Sequence, residues 1–379
     1  MHRSPNPGPG AVRSPAMADV PVPNGPRIRL VMLYGGQSAE HEVSLVTARH
    51  VIAATDADRY DISPVAIGKD GRWVLAHDAT RALAAGADAL PDALPTGGEA
   101  TEPAGALAQA DDEQVVVFPL LHGPLGEDGT VQGLLELAGV PYVGCGVLAS
   151  ALAMDKAMAK EVFAAKGIPQ ARHVAVLEPD LGPDTIEQLE AELGYPMFVK
   201  PANMGSSVGV TKAHDRAELD AAIELALRYD ESLVIEESIA GREIECAVLG
   251  NLDPRASLPG EIRPGAEFYD YADKYQSGTA ELIIPADLSP EVTEELRTMA
   301  VRAFRALGCE GMARVDFFYE EGGRGLLVNE INTIPGFTPI SMYPKMWEAT
   351  GLDYPDLIDE LIRLAIERYD RRASRRRHD

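Results

Sequence analysis

Six residues, Ile28 to Leu33 (IRLVML), form a short apolar, β-branched run that ends at Gly35-Gly36 and gives way to a helical pattern from about Glu42 to Ala54. A strand, a glycine turn and a helix in succession open an α/β unit. Further strands are read at 61–67 (DISPVAI) and 115–120 (VVVFPL), and Val131 to Ala138 reads as a helix stopped by Gly139. Residues 27–150 therefore predict a small parallel α/β sheet. Within them, 78–114 drifts to Ala, Gly, Pro and acid and reads as a surface insertion.

The chain has 379 residues, enough for two or three domains. DKAMAKEVFAAK (155–166) is helical, with Gly167 expected just past its end and Pro169 beyond, and it opens a second domain, 151–240. That domain holds MFVKPANMGSSVGVTK, read as two strands joined by a glycine and serine loop, a helix at 216–228 and the strand LVIEE. A third domain, 241–370, carries ECAVLG, a polar segment from Pro264 to Ala280 expected to act as a mobile lid, a helix near 290–307 and a hairpin of ARVDFFY and GLLVNEI. The fold class is α/β and α+β.

Charge and cysteine usage exclude several functions. Lys+Arg of 34 against Asp+Glu of 59 gives a net charge of −25, and such a surface repels a phosphate backbone, so no nucleic-acid partner is expected. The tail 371–379 (RRASRRRHD) is basic and reads as a frayed terminus. Cys145, Cys246 and Cys309 sit in apolar contexts and read as buried thiols of a reducing compartment. Residues 1–26 lack an apolar export core, carry seven prolines and read as a disordered leader. The uncharged stretch Leu137 to Met154 is punctuated by Gly139, Pro141, Gly144 and Gly146, which argues against a membrane span. A cytoplasmic enzyme is expected.

The chemistry concentrates in two places. In NEIN, Glu330 and Asn332 lie two apart on a strand and face one side. If the turn EEGGRG centres near Gly323, Asp316 pairs opposite Glu330, and the three hard oxygen donors suit Mg²⁺. In KPANMGSSVGV, Lys200 precedes a loop of Gly205, Ser206, Ser207 and Gly209 whose backbone N–H groups can close over an anion, and Lys156 is a further phosphate candidate. A glycine loop alone is more often a plain turn; with two lysines and a downstream acidic set it is a site.

Together these residues resemble the ATP-grasp superfamily and, within it, the D-alanine:D-alanine ligase family. The motifs that carry the resemblance are GGQSAEHEVSL (35–45), LHGPLGEDGTVQG (121–133), SALAMDK (150–156), FVKPANMGSSVGV (198–210), EFYDYADKY (267–275), GMARVDFF (311–318) and NEINTIPGFTPISMYP (329–344). It implies a three-domain ATP-grasp fold with ATP held between the second and third domains. It also implies that one D-alanine carboxylate is phosphorylated by ATP and the acylphosphate is attacked by the amine of a second D-alanine. Phosphorylation answers a chemical difficulty, since a carboxylate is a poor electrophile with a poor leaving group.

Carried over by the resemblance, Lys156 and Lys200 would hold the ATP phosphates with Ser206 and Ser207 in the loop above them. Backbone at Glu236, Glu237 and Ile239 would meet adenine, and Glu243 the ribose. Asp316, Glu330 and Asn332 would bind two Mg²⁺, with Mn²⁺ as substitute and a monovalent cation such as K⁺ as a further expectation. Glu42 would take the ammonium of the first D-alanine, with His122 beside the substrates. Arg314 and the Gly336 N–H would stabilise the oxyanion, while Lys274, Ser341 and Met342 would meet the second substrate. Tyr275 would link Ser206 and Glu42 and close the loop over the site. A homodimer is implied as well. The rivals are a ligase of the same fold that joins D-alanine to D-lactate or another acceptor, and a catalytically idle nucleotide-binding regulator. A dinucleotide oxidoreductase is disfavoured because the turn at Gly35 lacks G-x-G-x-x-G.

Overall fold

The opening turn shows why glycine is obligatory there. Gly35 has φ +92°, and a Cβ on it would fall 2.2 Å from the carbonyl oxygen of Ile67. The Gly35 N–H donates to Ser44 Oγ at 2.8 Å, and that hydroxyl donates to Leu120 O at 2.5 Å. One serine on the first helix thus fixes the ends of two strands. The computed structural model describes residues 28–86, 89–110, 113–263 and 280–376.

The first sheet contains β1 (Ile28–Gly35), β2 (Tyr60–Ile67), β3 (Trp73–Leu75), β4 (Glu99–Thr101) and β5 (Gln114–Pro119) in the order β4-β3-β2-β1-β5. Around it lie α1 (His41–Ala54), α2 (His77–Ala84), α3 (Pro103–Ala106) and α4 (Thr130–Ala138). The expected parallel sheet is only partly so. β1 pairs parallel with β2 and β5, but β3 and β4 add antiparallel. The segment 78–114 is also more than a surface insertion, because it supplies β4 and α3 and buries Leu90, Leu94 and Leu107. Its acidic, glycine-rich composition hides a few leucines that pack inward.

Helices α5 (Val147–Met154) and α6 (Lys156–Ala165) lead to the second sheet, order β6-β9-β7-β8, made of β6 (His173–Leu177), β7 (Met197–Pro201), β8 (Thr211–Ala213) and β9 (Ser232–Glu237), with α7 (Pro183–Leu193) and α8 (Arg216–Ala226). Asp155 caps α6 by accepting from the Met158 N–H, and Gly167 follows the helix at φ +61°, the left-handed position read from the sequence. The third sheet runs β13-β12-β10-β14-β15, with β11 beside β10. Its strands are β10 (Arg242–Gly250), β11 (Arg255–Ala256), β12 (Gly260–Arg263), β13 (Glu281–Ile283), β14 (Gly311–Glu320) and β15 (Gly325–Asn332), flanked by α9 (Pro290–Ala306), α10 (Met342–Thr350) and α11 (Tyr354–Arg376).

The cores do not follow the sheets one to one. Leu30, Met32 and Phe118 of the first sheet share one core with Met312, Phe337, Trp347 and Leu357 of the last third. Cys145, Ala153 and Phe163 of the α5 and α6 region pack with β10, α9 and β15, so the change of core falls after Ile168. The second sheet has a core of its own, from Val176 to Ile235. Over residues 371–376 the basic tail is helical, not frayed as expected: α11 continues to Arg376, and Arg371 and Arg372 ion-pair with Glu310, Arg372 also reaching Glu136 at 3.0 Å. Just before them, Arg368 lies buried 4.3 Å over the Tyr142 ring and donates to Tyr142 O at 2.7 Å. Among the described residues no helix is long and apolar enough to cross a membrane.

Candidate active site

A cleft of about 1300 Å³ lies between the second and third sheets and reaches the loops above the first. Its acidic wall is the β14–β15 hairpin. The chain turns between Glu320 and Gly325, and a simple register from that turn would not put Asp316 opposite Glu330. A bulge does: the pairing slips between Asp316 and Phe317, so Phe317 faces Val328 while Asp316 faces Glu330 and Arg314 faces Asn332. The pairing expected from a turn centred at Gly323 is thus observed, but for a reason the sequence did not show.

Arg314 donates from Nε to Asp316 Oδ1 and from Nη2 to Asp316 Oδ2, both at 2.7 Å, and Asn332 Nδ2 donates to Oδ2 at 2.9 Å. The carboxylates of Asp316 and Glu245 raise the guanidinium pKa against the opposing effect of burial, which is the largest single influence. Among the described residues no three His, Cys, Asp or Glu side chains converge on one point, so a metal would rest on two carboxylates and an amide. That donor set fits Mg²⁺, which commonly takes one or two carboxylates and completes its shell with water and phosphate.

The opposite wall carries the lysines. Lys156 Nζ donates to Met204 O at 2.5 Å and stands 3.9 Å from Glu330 Oε2. Lys200 Nζ donates to Glu236 Oε2 at 2.7 Å and lies 3.4 Å from Asn329 Oδ1. Between these lysines the loop passes through Ser206 at φ +49° and Ser207 at φ +59°, left-handed conformations that cost a non-glycine residue on the order of 1–3 kcal/mol each. Such strain persists only where surrounding contacts hold it. Here the Ser206 hydroxyl is hydrogen-bonded to Glu40 across the cleft.

That contact corrects the assignment of Glu42. Glu42 stands at the cleft mouth with its side chain 68% exposed and paired to Lys69 at 2.8 Å, whereas Glu40 is buried. Glu40, Val43 and Thr47 line the cleft together with Glu42 and Val46, so exposure and pairing, not the face of the helix, separate the two glutamates. The first-helix link to Ser206 is therefore made by Glu40. Lys274 and Tyr275, and the expected lid apart from Ala280, lie outside the described residues.

Other expected residues line the same cleft. His122 is buried, which pushes its imidazole pKa down, with the charge of Glu40 acting the other way. The side chain of Glu237 is held by Arg172 and Arg324, and Glu237, Ile239 and Glu243 line the cleft. At the far end, Gly336 is so close to Ser341 that a Cβ would meet its Oγ at 3.2 Å. Ser341 directly precedes α10, its Oγ accepting from the Thr338 N–H at 3.1 Å, and with Met342 and Lys345 also lining the cleft the N-terminal end of the helix borders it, a setting that favours a carboxylate. Met342 lines the cleft but is mainly a core residue, packed against Gly260.

Three further residues escaped sequence reading. Lys160, one helical turn after Lys156, is 2% exposed and pairs with Glu236 Oε1 at 2.8 Å, so Glu236 sits between two lysines and its pKa is held down to about 2 although burial alone would raise it. Lys160→Met should destabilise the protein by about 3–5 kcal/mol, because a buried carboxylate loses a partner, and urea unfolding will read it. Glu127 is the second. Burial first and then the charge of Glu40 push its carboxyl up to about 8, although it accepts from the Gly123 N–H at 2.7 Å. The folded acid keeps a proton that the unfolded chain releases near 4.5, so this group's contribution is lost as pH rises through that window to about 8. Glu127→Gln should therefore lose less melting temperature than the parent between pH 5 and pH 8, which calorimetry will test. Glu245, third, stands beside Arg314 and lines the cleft.

The family model described as D-ala D-ala ligase N-terminus matches residues 29–145, and that described as D-ala D-ala ligase C-terminus matches 162–363. A D-alanine--D-alanine ligase of Deinococcus radiodurans is 51% identical over 343 residues, covering 89% of this chain and 98% of that protein. One of Acetivibrio thermocellus is 47% identical over 367 residues, covering 91% and 98%. Among solved structures, the D-alanine-D-alanine ligase from Coxiella burnetii superposes with a TM-score of 0.76 at 39% identity, over 93% of this chain and 98% of that one. VanG D-Ala:D-Ser ligase from Enterococcus faecalis also gives 0.76, at 37% identity over 89% and 99%. The architecture is the ATP-grasp fold, and the chain belongs to the D-alanine–D-alanine ligase family.

Proposed function

We propose that this protein joins two D-alanine molecules to D-alanyl-D-alanine at the expense of ATP, releasing ADP and phosphate, as a step in peptidoglycan precursor synthesis in the cytoplasm. The observation that carries the reading is one cleft with two lysines and a strained serine loop on one wall, and the Asp316–Arg314–Asn332 cluster with Glu330 on the other. Lys156 and Lys200 neutralise the phosphates, with Ser206 and Ser207 closing over them, and the backbone at Glu236, Glu237 and Ile239 meets adenine with Glu243 at the ribose. Asp316, Glu330 and Asn332 would hold two Mg²⁺, or Mn²⁺ in their place, which would supply neutralisation of the phosphate charge. A monovalent cation such as K⁺ belongs to the same reading.

Glu40 receives the ammonium of the first D-alanine, beside His122. Arg314 and the Gly336 N–H stabilise the oxyanion formed when the second amine attacks, and Ser341 at the head of α10 receives the second carboxylate, with Met342 beside it and Lys274 and Tyr275 as further substrate contacts. The boundaries 27–150, 151–240 and 241–370 are proposed as the functional division, with the nucleotide between the last two. A homodimer is proposed also, supported by Leu137 at 90% and Leu148 at 70% exposure on neighbouring helices, and light scattering tests it. The decisive experiment measures ADP release from ATP with and without D-alanine. D-alanine-dependent release with the dipeptide as product is expected; release equally large without D-alanine overturns the reading. D-Serine and D-lactate offered in competition test acceptor choice, with D-alanine expected to dominate.

A further inference from the structure

Arg314 stands between two carboxylates. It grips Asp316 through two 2.7 Å hydrogen bonds, and its Nε lies 3.2 Å from Glu245 Oε2. Glu245 is 6% exposed and sits on β10 directly opposite Asp316 in the β10–β14 register. Resting on the function proposed above, the difficulty is one of charge: a guanidinium and a divalent cation on the same carboxylate repel each other strongly in a half-buried site. Metal at Asp316 must therefore loosen Arg314, and a largely covered arginine released without a partner would hold on to Asp316 and oppose the metal.

We infer that Glu245 is a positioning residue that receives Arg314 when Asp316 turns to the metal, keeping the guanidinium in the site and aimed at the reacting centre. Glu245 lies one strand away on the side of Asp316 remote from β15, where Glu330 and Asn332 stand, so the exchange needs only a rotation of the arginine head between neighbouring strands. Metal binding and readiness of the oxyanion donor are then one event.

The test is a double-mutant cycle read by Mn²⁺ binding in the presence of ADP, followed by electron paramagnetic resonance without D-alanine and thus without turnover. Glu245→Gln should weaken Mn²⁺ binding about tenfold, Arg314→Met should tighten it several-fold, and Glu245→Gln placed on Arg314→Met should change it less than about twofold. An equal tenfold loss with Arg314 absent means that Glu245 acts only through its charge on the metal, and overturns the exchange. Failure of the unaltered protein to bind Mn²⁺ with ADP overturns the metal assignment itself, and this inference with it. If Glu245→Gln does not fold, Glu245→Asp, which retracts the carboxylate, takes its place in the cycle with the same expected pattern at smaller amplitude.

Discussion

Glu330→Gln should fold and melt like the parent yet lose about 10²- to 10³-fold in kcat at ordinary Mg²⁺. The side chain is about a third exposed and lies on an edge strand, and Lys156 keeps its hydrogen bond to Met204 O, so neutralising Glu330 should cost little stability. What is lost is one of the two carboxylates of the metal set and the countercharge 3.9 Å from Lys156. The amide keeps an oxygen that can still ligate, so raising Mg²⁺ should recover part of the rate, a pattern that simple misfolding does not produce. A rate near that of the parent with unchanged melting would remove Glu330 from the metal set.

The second large effect separates two glutamates that stand two residues apart. Glu40→Gln should cost about a hundredfold in kcat/KM for D-alanine, since an ion pair in a partly desolvated site, together with its hydrogen bond to Ser206, is worth roughly 2–3 kcal/mol. Glu42→Gln should stay within about twofold, because a side chain mostly in water and paired to an exposed lysine contributes little. Steady-state kinetics in D-alanine on both variants decides the matter: equal losses would restore Glu42, and no loss at Glu40 would move the ammonium site elsewhere.

The confusion between those two residues shows where sequence reading stops. Strand and helix spans such as β1, α6 and β9 were legible because apolar period and glycine punctuation agree there with the tertiary structure. The three-residue strands β3 and β4 carry too short a pattern to be seen, and their antiparallel pairing was missed with them. Glu40 directly precedes α1, where facing depends on how the chain enters the helix, and a charge count cannot see that. Lys160 and Glu127 look like solvated charges in the sequence, and their burial comes from elements far along the chain. The α11 arginines read as a loose tail because their partners, Glu310 and Glu136, are distant in sequence.

The shared core has a mechanical consequence. Among the described residues the first sheet and the last third form one welded frame, locked by α11 and Arg368, whereas the second sheet has a core of its own and is built as a separate jaw. Glu40, His122, Arg314, Asp316 and Glu330 belong to the anvil, while Lys200, Ser206 and Ser207 ride on the jaw. Most places for the amino acids are thus set on the frame before any nucleotide arrives, and the bite adjusts the phosphate side and the Ser206 contact with Glu40. A loosened jaw would show as slack in ATP handling, while the seats of the amino acids on the frame would keep their gauge.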